Sequence, residues 1–310
     1  MKKQDYSLKQ MHSDIENKHK SGFVNIVGNP NVGKSTLMNT LVGGKLSIIT
    51  SKAQTTRHRI IGIVNKPNVQ IVFSDTPGIL RPNYKLQKKM LNFSESALED
   101  ADILLYVSDI KNQLVKTDFF LKKMQQTNLP ILLILNKIDL FNQKQLEQKV
   151  IEYHKILPNA EIIPISAINQ FNTDYLQKRI EKLLPESPPY FEKNTITDRP
   201  ARFFSTEIIR EKVLLYYQKE IPYSVEVTIE LFKEQKDLIW IKAIIITERD
   251  SQKKIIIGKD GKALKRIGFT ARKDIEKFFD KKIFLEMHVK VEKNWRNRDN
   301  LLKRYGYKSE

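Results

Sequence analysis

The sequence predicts an α/β domain with a mainly parallel sheet, followed by a smaller α+β domain. Three observations lead there. Short apolar runs recur along the first 185 residues, separated by stretches of helical periodicity. A proline-rich break follows at Leu184-Pro185. Beyond it the element order changes to helix, two strands, two helices and a last strand.

Taken in order, residues 1–20 are polar with little apolar periodicity and read as an N-terminal extension. FVNIV, starting at Phe23, ends in glycine and reads as a buried strand. Further strands are expected at 70–75, 102–109, 130–136 and 161–166. Helices are expected at 35–42, 84–99, 117–127, 143–156 and 172–184. That alternation means a sheet covered on both faces. IIGIVN at 60–65, just before the strand at 70–75, is expected to form an antiparallel edge hairpin with it. LPESPPYF places Pro185, Pro188 and Pro189 close together, which excludes helix and central strand, so 186–200 reads as a stiff linker. The first domain is therefore expected over 21–185 and the second over 201–310. In the second, a helix is expected from about Phe203 to Glu220, strands at 225–232, 239–247 and 284–292, and two helices around Gly258–Gly261.

Hydrophobic residues make up 40% and charged residues 29% of the 310, enough apolar material for two cores. No apolar run approaches the ~18 residues of a membrane span. The N-terminal residues lack the apolar core of a signal peptide, and the absence of cysteine excludes disulfides and thiolate metal sites. Together these point to the cytoplasm. The formal net charge is +18, and residues 201–310 hold 26 Lys+Arg against 17 Asp+Glu. The basic density is higher there than in the first 200 residues, which points to a polyanionic partner: RNA, DNA or an acidic membrane surface.

Residues 28–35 read Gly28-Asn29-Pro30-Asn31-Val32-Gly33-Lys34-Ser35, the G-x-x-x-x-G-K-S pattern, between an expected strand and an expected helix that continues through Thr36. Its glycines let the backbone wrap a phosphate so that N–H groups and the helix N-terminus face the anion. Lys34 is expected to reach the β- and γ-phosphates, and the Ser35 hydroxyl to ligate Mg²⁺. Asp75-Thr76-Pro77-Gly78 ends another strand. Asp75 can hold the Mg²⁺ shell through water, and the Gly78 N–H can sense the γ-phosphate. Asn136-Lys137-Ile138-Asp139 follows a further strand. Asp139 can accept from guanine N1–H and the 2-amino group, Asn136 would brace the site, and the Lys137 stem would cover the base. Ser166-Ala167 ends a later strand, with the Ala167 N–H expected to donate to guanine O6. Four elements in this order specify GTP and GDP over adenine nucleotides. An ATP-dependent P-loop kinase, the competing reading, has no use for Asp139. In Gln54-Thr55-Thr56-Arg57, Thr56 is the candidate to complete the Mg²⁺ shell.

In the second domain, Gly258-Lys259-Asp260-Gly261 is a G-x-x-G between two expected helices, the signature of a KH domain, whose loop clamps about four nucleotides. Lys253, Lys254, Lys262, Lys265 and Arg266 flank it. Ile255–Ile257, Leu264 and Ile267 can serve either as core or as the floor of a base groove. The tail from Lys293 through Trp295, Arg296 and Tyr307 mixes arginine with aromatic residues that could stack on bases.

SKAQTTRHRIIGIV, GNPNVGKS, SDTPGI and PPYFEKNTITDRPARFFSTEIIREKV resemble the Era family of bacterial ribosome-associated GTPases from about Gly22 to Tyr307. The resemblance implies a P-loop GTPase domain followed by a KH domain of type II. It further implies contact of the tail with the 3′ end of 16S rRNA and a role in assembling the 30S subunit, as a monomer. A Ras-like glutamine is missing: its position holds Ile79, which can neither donate nor accept a hydrogen bond. In related GTPases Asn31's counterpart coordinates K⁺, so K⁺ is a further candidate cofactor. Lys34, Thr56, Gly78 and Asn31 are the candidate catalytic positions. A GTP-regulated switch docking peripherally on acidic membrane through its basic domain stands as the alternative, and the G-x-x-G geometry argues against it.

Overall fold

The computed structural model describes residues 19–111 and 118–307. They group into two compact units. The first comprises residues up to Ser47, Arg59–Ile79 and Ser94–Asp198; the second comprises Ile48–His58, Leu80–Phe93 and the chain from Arg199 onward. The expected N-terminal extension lies outside the described residues apart from its last two positions.

The first unit is built on a six-stranded sheet in the order β2-β3-β1-β4-β5-β6. The strands are β1 (Lys20–Gly28), β2 (Ile60–Lys66), β3 (Val69–Asp75), β4 (Ile103–Asp109), β5 (Ile131–Asn136) and β6 (Glu161–Pro164). All neighbours are parallel except β2 and β3, whose antiparallel register runs from Ile60 opposite Asp75 to Lys66 opposite Val69. This is the edge hairpin expected from IIGIVN. β4 and β5 are buried at every position, as strands with both faces covered must be. The helices are α1 (Lys34–Val42), α2 (Lys85–Glu99), α3 (Asp118–Gln126), α4 (Gln143–Ile156) and α5 (Thr173–Leu183). α4 starts where the sequence supplies a capping box: Gln145 N–H donates to Asn142 Oδ1 at 3.0 Å, and Asn142 N–H donates to Gln145 Oε1 at 3.1 Å. α2 is divided, its residues through Phe93 grouping with the second unit and the rest with the first.

The proline-rich stretch after α5 is held along the hairpin. Ile63 N–H donates to Ile196 O at 2.9 Å, and Thr197 Oγ1 donates to Ile61 O at 2.7 Å. Gln70 Oε1 accepts from Tyr190 and Phe191 N–H, while its amide donates to Phe191 O. The stretch thereby covers the edge strand β2, which would otherwise expose unpaired backbone groups.

The second unit follows the order α6 (Ala201–Tyr216), α7 (Ile221–Ser224), β7 (Glu226–Glu234), β8 (Leu238–Thr247), α8 (Asp250–Ile257), α9 (Lys262–Phe279), β9 (Lys282–Val291) and α10 (Asp299–Arg304). Its three-stranded sheet pairs β7 with β8 antiparallel and β8 with β9 parallel. Strand alternation sends Ile239, Ile241, Ala243 and Ile245 to one face, where they pack with Ile209 and Val213 of α6, Ile256 of α8, and Ile267, Ala271 and Ile275 of α9. A smaller core on the other face gathers Ile246, Trp295, Leu301, Leu302 and Tyr307 with Leu86 and Met90 of α2.

Candidate nucleotide and RNA sites

In the first unit the four motifs sit at the C-terminal ends of β1, β3, β5 and β6, the edge where open α/β sheets bind ligands. The phosphate loop turns through Gly33 at φ 98°, and a Cβ there would come within 2.3 Å of Asn136 Nδ2, so only glycine fits. Lys34 is buried and donates to Gly28 O at 3.0 Å and Asn29 O at 2.8 Å. Burial pushes its ammonium down to about 8, with the Asp75 carboxylate opposing that fall. Ser35 Oγ donates to Asp75 Oδ2 at 2.7 Å, so a hydroxyl and a carboxylate meet beside the loop. Both are hard oxygen donors of the kind Mg²⁺ takes when phosphates and water complete its shell. Among the described residues no group of three or more His, Cys, Asp or Glu could hold a metal ion.

The Asp75–Gly78 loop is pinned to the phosphate loop by Ile79 N–H donating to Gly28 O at 3.1 Å, and the Thr76 hydroxyl donates to Ile26 O at 2.8 Å. Ile79 itself is buried. Asn136 ties the phosphate loop to the last motif: its Nδ2 donates to Val32 O at 2.9 Å, and its Oδ1 accepts the Ala167 N–H at 3.0 Å. That N–H was expected to face guanine O6; here it serves Asn136. Ser166 Oγ donates to Asp139 Oδ1 at 2.5 Å and orients the carboxylate. Lys137, in the left-handed region at φ 63°, donates to Asn31 O at 2.5 Å and to Asp109 Oδ2 at 3.0 Å. Asp109 and Thr40, whose hydroxyl donates to Ala167 O at 3.1 Å, belong to this bracing set and went unnoticed in the sequence. Asp109 ends its strand just as Asp75 and Asn136 end theirs, which was the available signal.

Thr56 groups with the second unit and is buried there, whereas Ser35 and Asp75 belong to the first. The segment around it is held by buried charges. Arg57 donates through Nη1 to Val225 O at 2.6 Å and through Nη2 to Pro222 O at 3.1 Å, and pairs with Glu226 at 3.3 Å. Tyr307 Oη donates to the same Glu226 carboxylate at 2.5 Å, and burial beside that charge holds its phenol well above the ordinary 10. Arg210 grips Glu207 with two bonds of 2.8 and 2.6 Å and also donates to Thr55 O. His58 stacks on Tyr307 with centroids 4.4 Å apart. Burial and the charges of Arg199, Arg210 and Arg57 hold its imidazole well below 6.5.

The G-x-x-G loop of the second unit joins α8 to α9. Gly258 lies at φ 72°, and a Cβ there would come within 2.6 Å of Ala263 Cβ. Lys259, Asp260, Lys262 and Lys265 are exposed. Next to the loop a groove of about 470 Å³ is lined by Gly261, Leu264, Lys265, Phe269, Leu285 and Met287. Leu264 is thus groove floor, while Ile256 and Ile267 are core. Trp295 requires a correction: expected to stack on bases, it is fully buried, with Nε1 donating to Ser224 O at 2.9 Å. The outer sheet face needs a cover, and the indole supplies the largest apolar surface in the tail. Arg296 is also engaged, paired with Glu248 and placed 4.6 Å from the Tyr84 ring.

Comparison with known proteins agrees with both halves. Residues 23–137 match the family model described as 50S ribosome-binding GTPase, and residues 220–296 match the KH domain model. The chain is 45% identical over 294 residues to GTPase Era of Geotalea daltonii, covering 94% of this chain and 99% of that protein. It is 42% identical over 291 residues to GTPase Era of Staphylococcus epidermidis, covering 93% and 97%. Among solved structures, Era in complex with MgGDPNP and nucleotides 1506–1542 of 16S ribosomal RNA superposes with a TM-score of 0.89 at 40% identity, covering 94% of this chain and all of that one. An Aquifex aeolicus Era variant bound to GDP and AlF₄⁻ gives the same score at 41% identity. Nucleotide motifs on four strand ends, a KH unit and relatives alike along nearly the whole length place this chain in the Era family of GTPases.

Proposed function

We propose that this GTPase binds the 3′ end of 16S rRNA through its KH unit, with the nucleotide state gating that binding, in assembly of the 30S subunit. One observation carries the reading: a relative 40% identical across 94% of this chain holds MgGDPNP together with 16S nucleotides 1506–1542. The groove beside Gly258–Gly261 supports the RNA half of it. The gating half is supported by the grouping of Ile48–His58 and Leu80–Phe93 with the KH unit, because these segments continue the chain from α1 and from Gly78. The expected setting is the cytoplasm and the expected state a monomer.

In the nucleotide site, phosphates draw the Lys34 ammonium from Gly28 O and Asn29 O toward the β- and γ-oxygens. Ser35 and Asp75 would hold Mg²⁺, which would supply positive charge to the phosphates. Asp139, oriented by Ser166, accepts from guanine, and Asn136 keeps the phosphate and base loops in register. For the Ala167 N–H to donate to guanine O6, it must exchange its Asn136 partner for the base. Thr56 is the residue that would complete the Mg²⁺ shell. Ile79 cannot orient water, and Asn31 is the residue that would hold K⁺, which would supply positive charge to the phosphates; hydrolysis is then expected to run faster in K⁺ than in Na⁺ at equal ionic strength, and Asn31→Ala to remove the difference.

The RNA assignment is tested by converting Lys259-Asp260 to Asp-Asp and titrating the full chain with an rRNA 3′-end oligonucleotide. The variant is expected to lose RNA binding and keep its GTP affinity. Unchanged RNA affinity with either GDP or a non-hydrolysable GTP analogue removes the clamp. Peripheral docking on acidic membrane, a matter of diffuse charge, would instead persist in the variant on anionic vesicles.

A further inference from the structure

The outer face of the KH sheet is covered over only part of its area. Ile244 and Ile246, near the end of β8, lie beneath the small core formed by Trp295, Leu302 and their neighbours. At the other end of the strand stand Trp240 and Phe284, 41% and 49% exposed, directly opposite each other in the β8–β9 register. Their ring centroids are 4.7 Å apart and the planes are inclined by 35°. Lys233 faces Trp240 from β7, so the row Lys233, Trp240, Phe284 crosses all three strands. Lys282, two residues before Phe284, lies on the same face.

The charges around this row are unevenly satisfied. Glu230 is paired with Lys242 at 2.8 Å, Glu234 with Lys281 at 2.7 Å, and Glu286 with His288 at 2.6 Å. Lys233 and Lys282 are exposed, and among the described residues neither is held in an ion pair. An open aromatic pair flanked by two available cations is the arrangement on which single-stranded nucleic acid stacks, since every base offers a π face and every linkage a phosphate.

The location favours RNA over another partner. β9 is an edge strand, and its alternation sends Leu285 and Met287 into the groove beside the G-x-x-G loop while Phe284 points to the reverse face. A strand leaving that groove over the edge of β9 passes directly onto Phe284.

We propose that Trp240 and Phe284 form a second single-stranded RNA contact, on which an unpaired base stacks while flanking phosphates meet Lys233 and Lys282. This rests on the reading of the G-x-x-G groove as an RNA site, and the test separates the two. Full-length protein is titrated with two 16S 3′-end oligonucleotides, one of about four nucleotides that fills the groove and one of about twelve that extends beyond it. The parent binds the longer RNA more tightly. Trp240→Ala and Phe284→Ala lose between about fivefold and about 150-fold on the longer RNA and nothing on the shorter, while Trp240→Phe keeps most of the affinity. Trp240 fluorescence is quenched by the longer RNA only; buried Trp295 is the internal reference. Alanine variants that bind the longer RNA as the parent does, or a Trp240 signal that ignores it, overturn the proposal. A concentration-dependent dimer lost in Trp240→Ala at unchanged RNA affinity assigns the face to a second copy and overturns it equally. Failure of the parent to bind either oligonucleotide refutes the groove reading, and the proposal falls with it.

Discussion

Glu226→Ala tests the buried charges that fix the Thr56–His58 segment in the KH unit. The carboxylate sits opposite Arg57, whose side chain is fully buried, and it accepts the Tyr307 hydroxyl. Removing it leaves a guanidinium away from water with only two carbonyl acceptors, Val225 O and Pro222 O. Breaking one partner of a buried pair costs about 3–5 kcal/mol, and orphaning a buried hydroxyl about 1–3 kcal/mol. Both losses pass through one carboxylate and do not add fully, so about 4–5 kcal/mol is expected. With a urea slope of about 2–3 kcal/mol per molar, the unfolding midpoint falls by roughly 1.5–2.5 M. The measurement is urea unfolding followed by tryptophan emission, to which Trp240 and the buried Trp295 of the same unit both contribute. A second arm replaces Arg57 and Glu226 together by methionine, which removes the stranded charge and is expected to be less damaging than either single truncation. A Glu226→Ala midpoint within about 0.3 M of the parent, or a double variant worse than the two singles combined, refutes the assignment of the network as a charge-paired clamp.

Three further outcomes follow from the same geometry. Lys34 is held near 8 by burial without ligand, and phosphates favour its charged form, so GTP binding takes up a proton above that pH and affinity falls as pH rises through it; calorimetry in buffers of different ionisation enthalpy reads the uptake, and none at about pH 9 excludes the Lys34–phosphate contact. His58 is held below 6.5 in the fold, so below that pH the unfolded chain binds more protons and stability is lost as pH falls; His58→Phe is expected to flatten that slope in urea titrations, and an unchanged slope assigns it to other groups. Asp139→Asn exchanges an acceptor for a donor and is expected to weaken GTP by about 1.5–3 kcal/mol per hydrogen bond while favouring xanthosine triphosphate; equal GTP affinity in a nucleotide titration would remove Asp139 from base recognition.

The parts legible in the sequence are those with a local cause. β4 and β5 could be read because a strand covered on both faces is apolar at every position. The phosphate loop could be read because its glycines and Lys34 answer one local geometry. Gly258–Gly261 was legible for the same reason. Trp295 misled because arginine and aromatic residues side by side describe a stacking tail and a tail folded into a core equally well; the choice depends on Leu86, Met90 and Ile246, distant in sequence. Arg57, Glu226 and Tyr307 form one buried set drawn from three places in the chain, and no spacing rule joins them. Trp240 and Phe284 each look like ordinary strand residues until the register puts them opposite one another.

The division of the chain bears on how a nucleotide could be reported to the RNA unit. Residues 48–58 leave the first unit after Ser47 and return to it at Arg59, and residues 80–93 begin right after Ile79. Both segments contribute to buried parts of the KH unit: Arg57 and His58 in one case, Leu86 and Met90 in the other. On the proposed reading, GTP recruits Thr56 and the Gly78 N–H, which draws on the two segments whose burial completes the second unit. Withdrawing Arg57 would strand Glu226 and expose Tyr307, and releasing Leu86 and Met90 would open the core over Ile246. On that reading the γ-phosphate contacts would have to offset those costs, so variants that weaken the clamp without unfolding it should shift the RNA response toward its GTP-bound form even with GDP present.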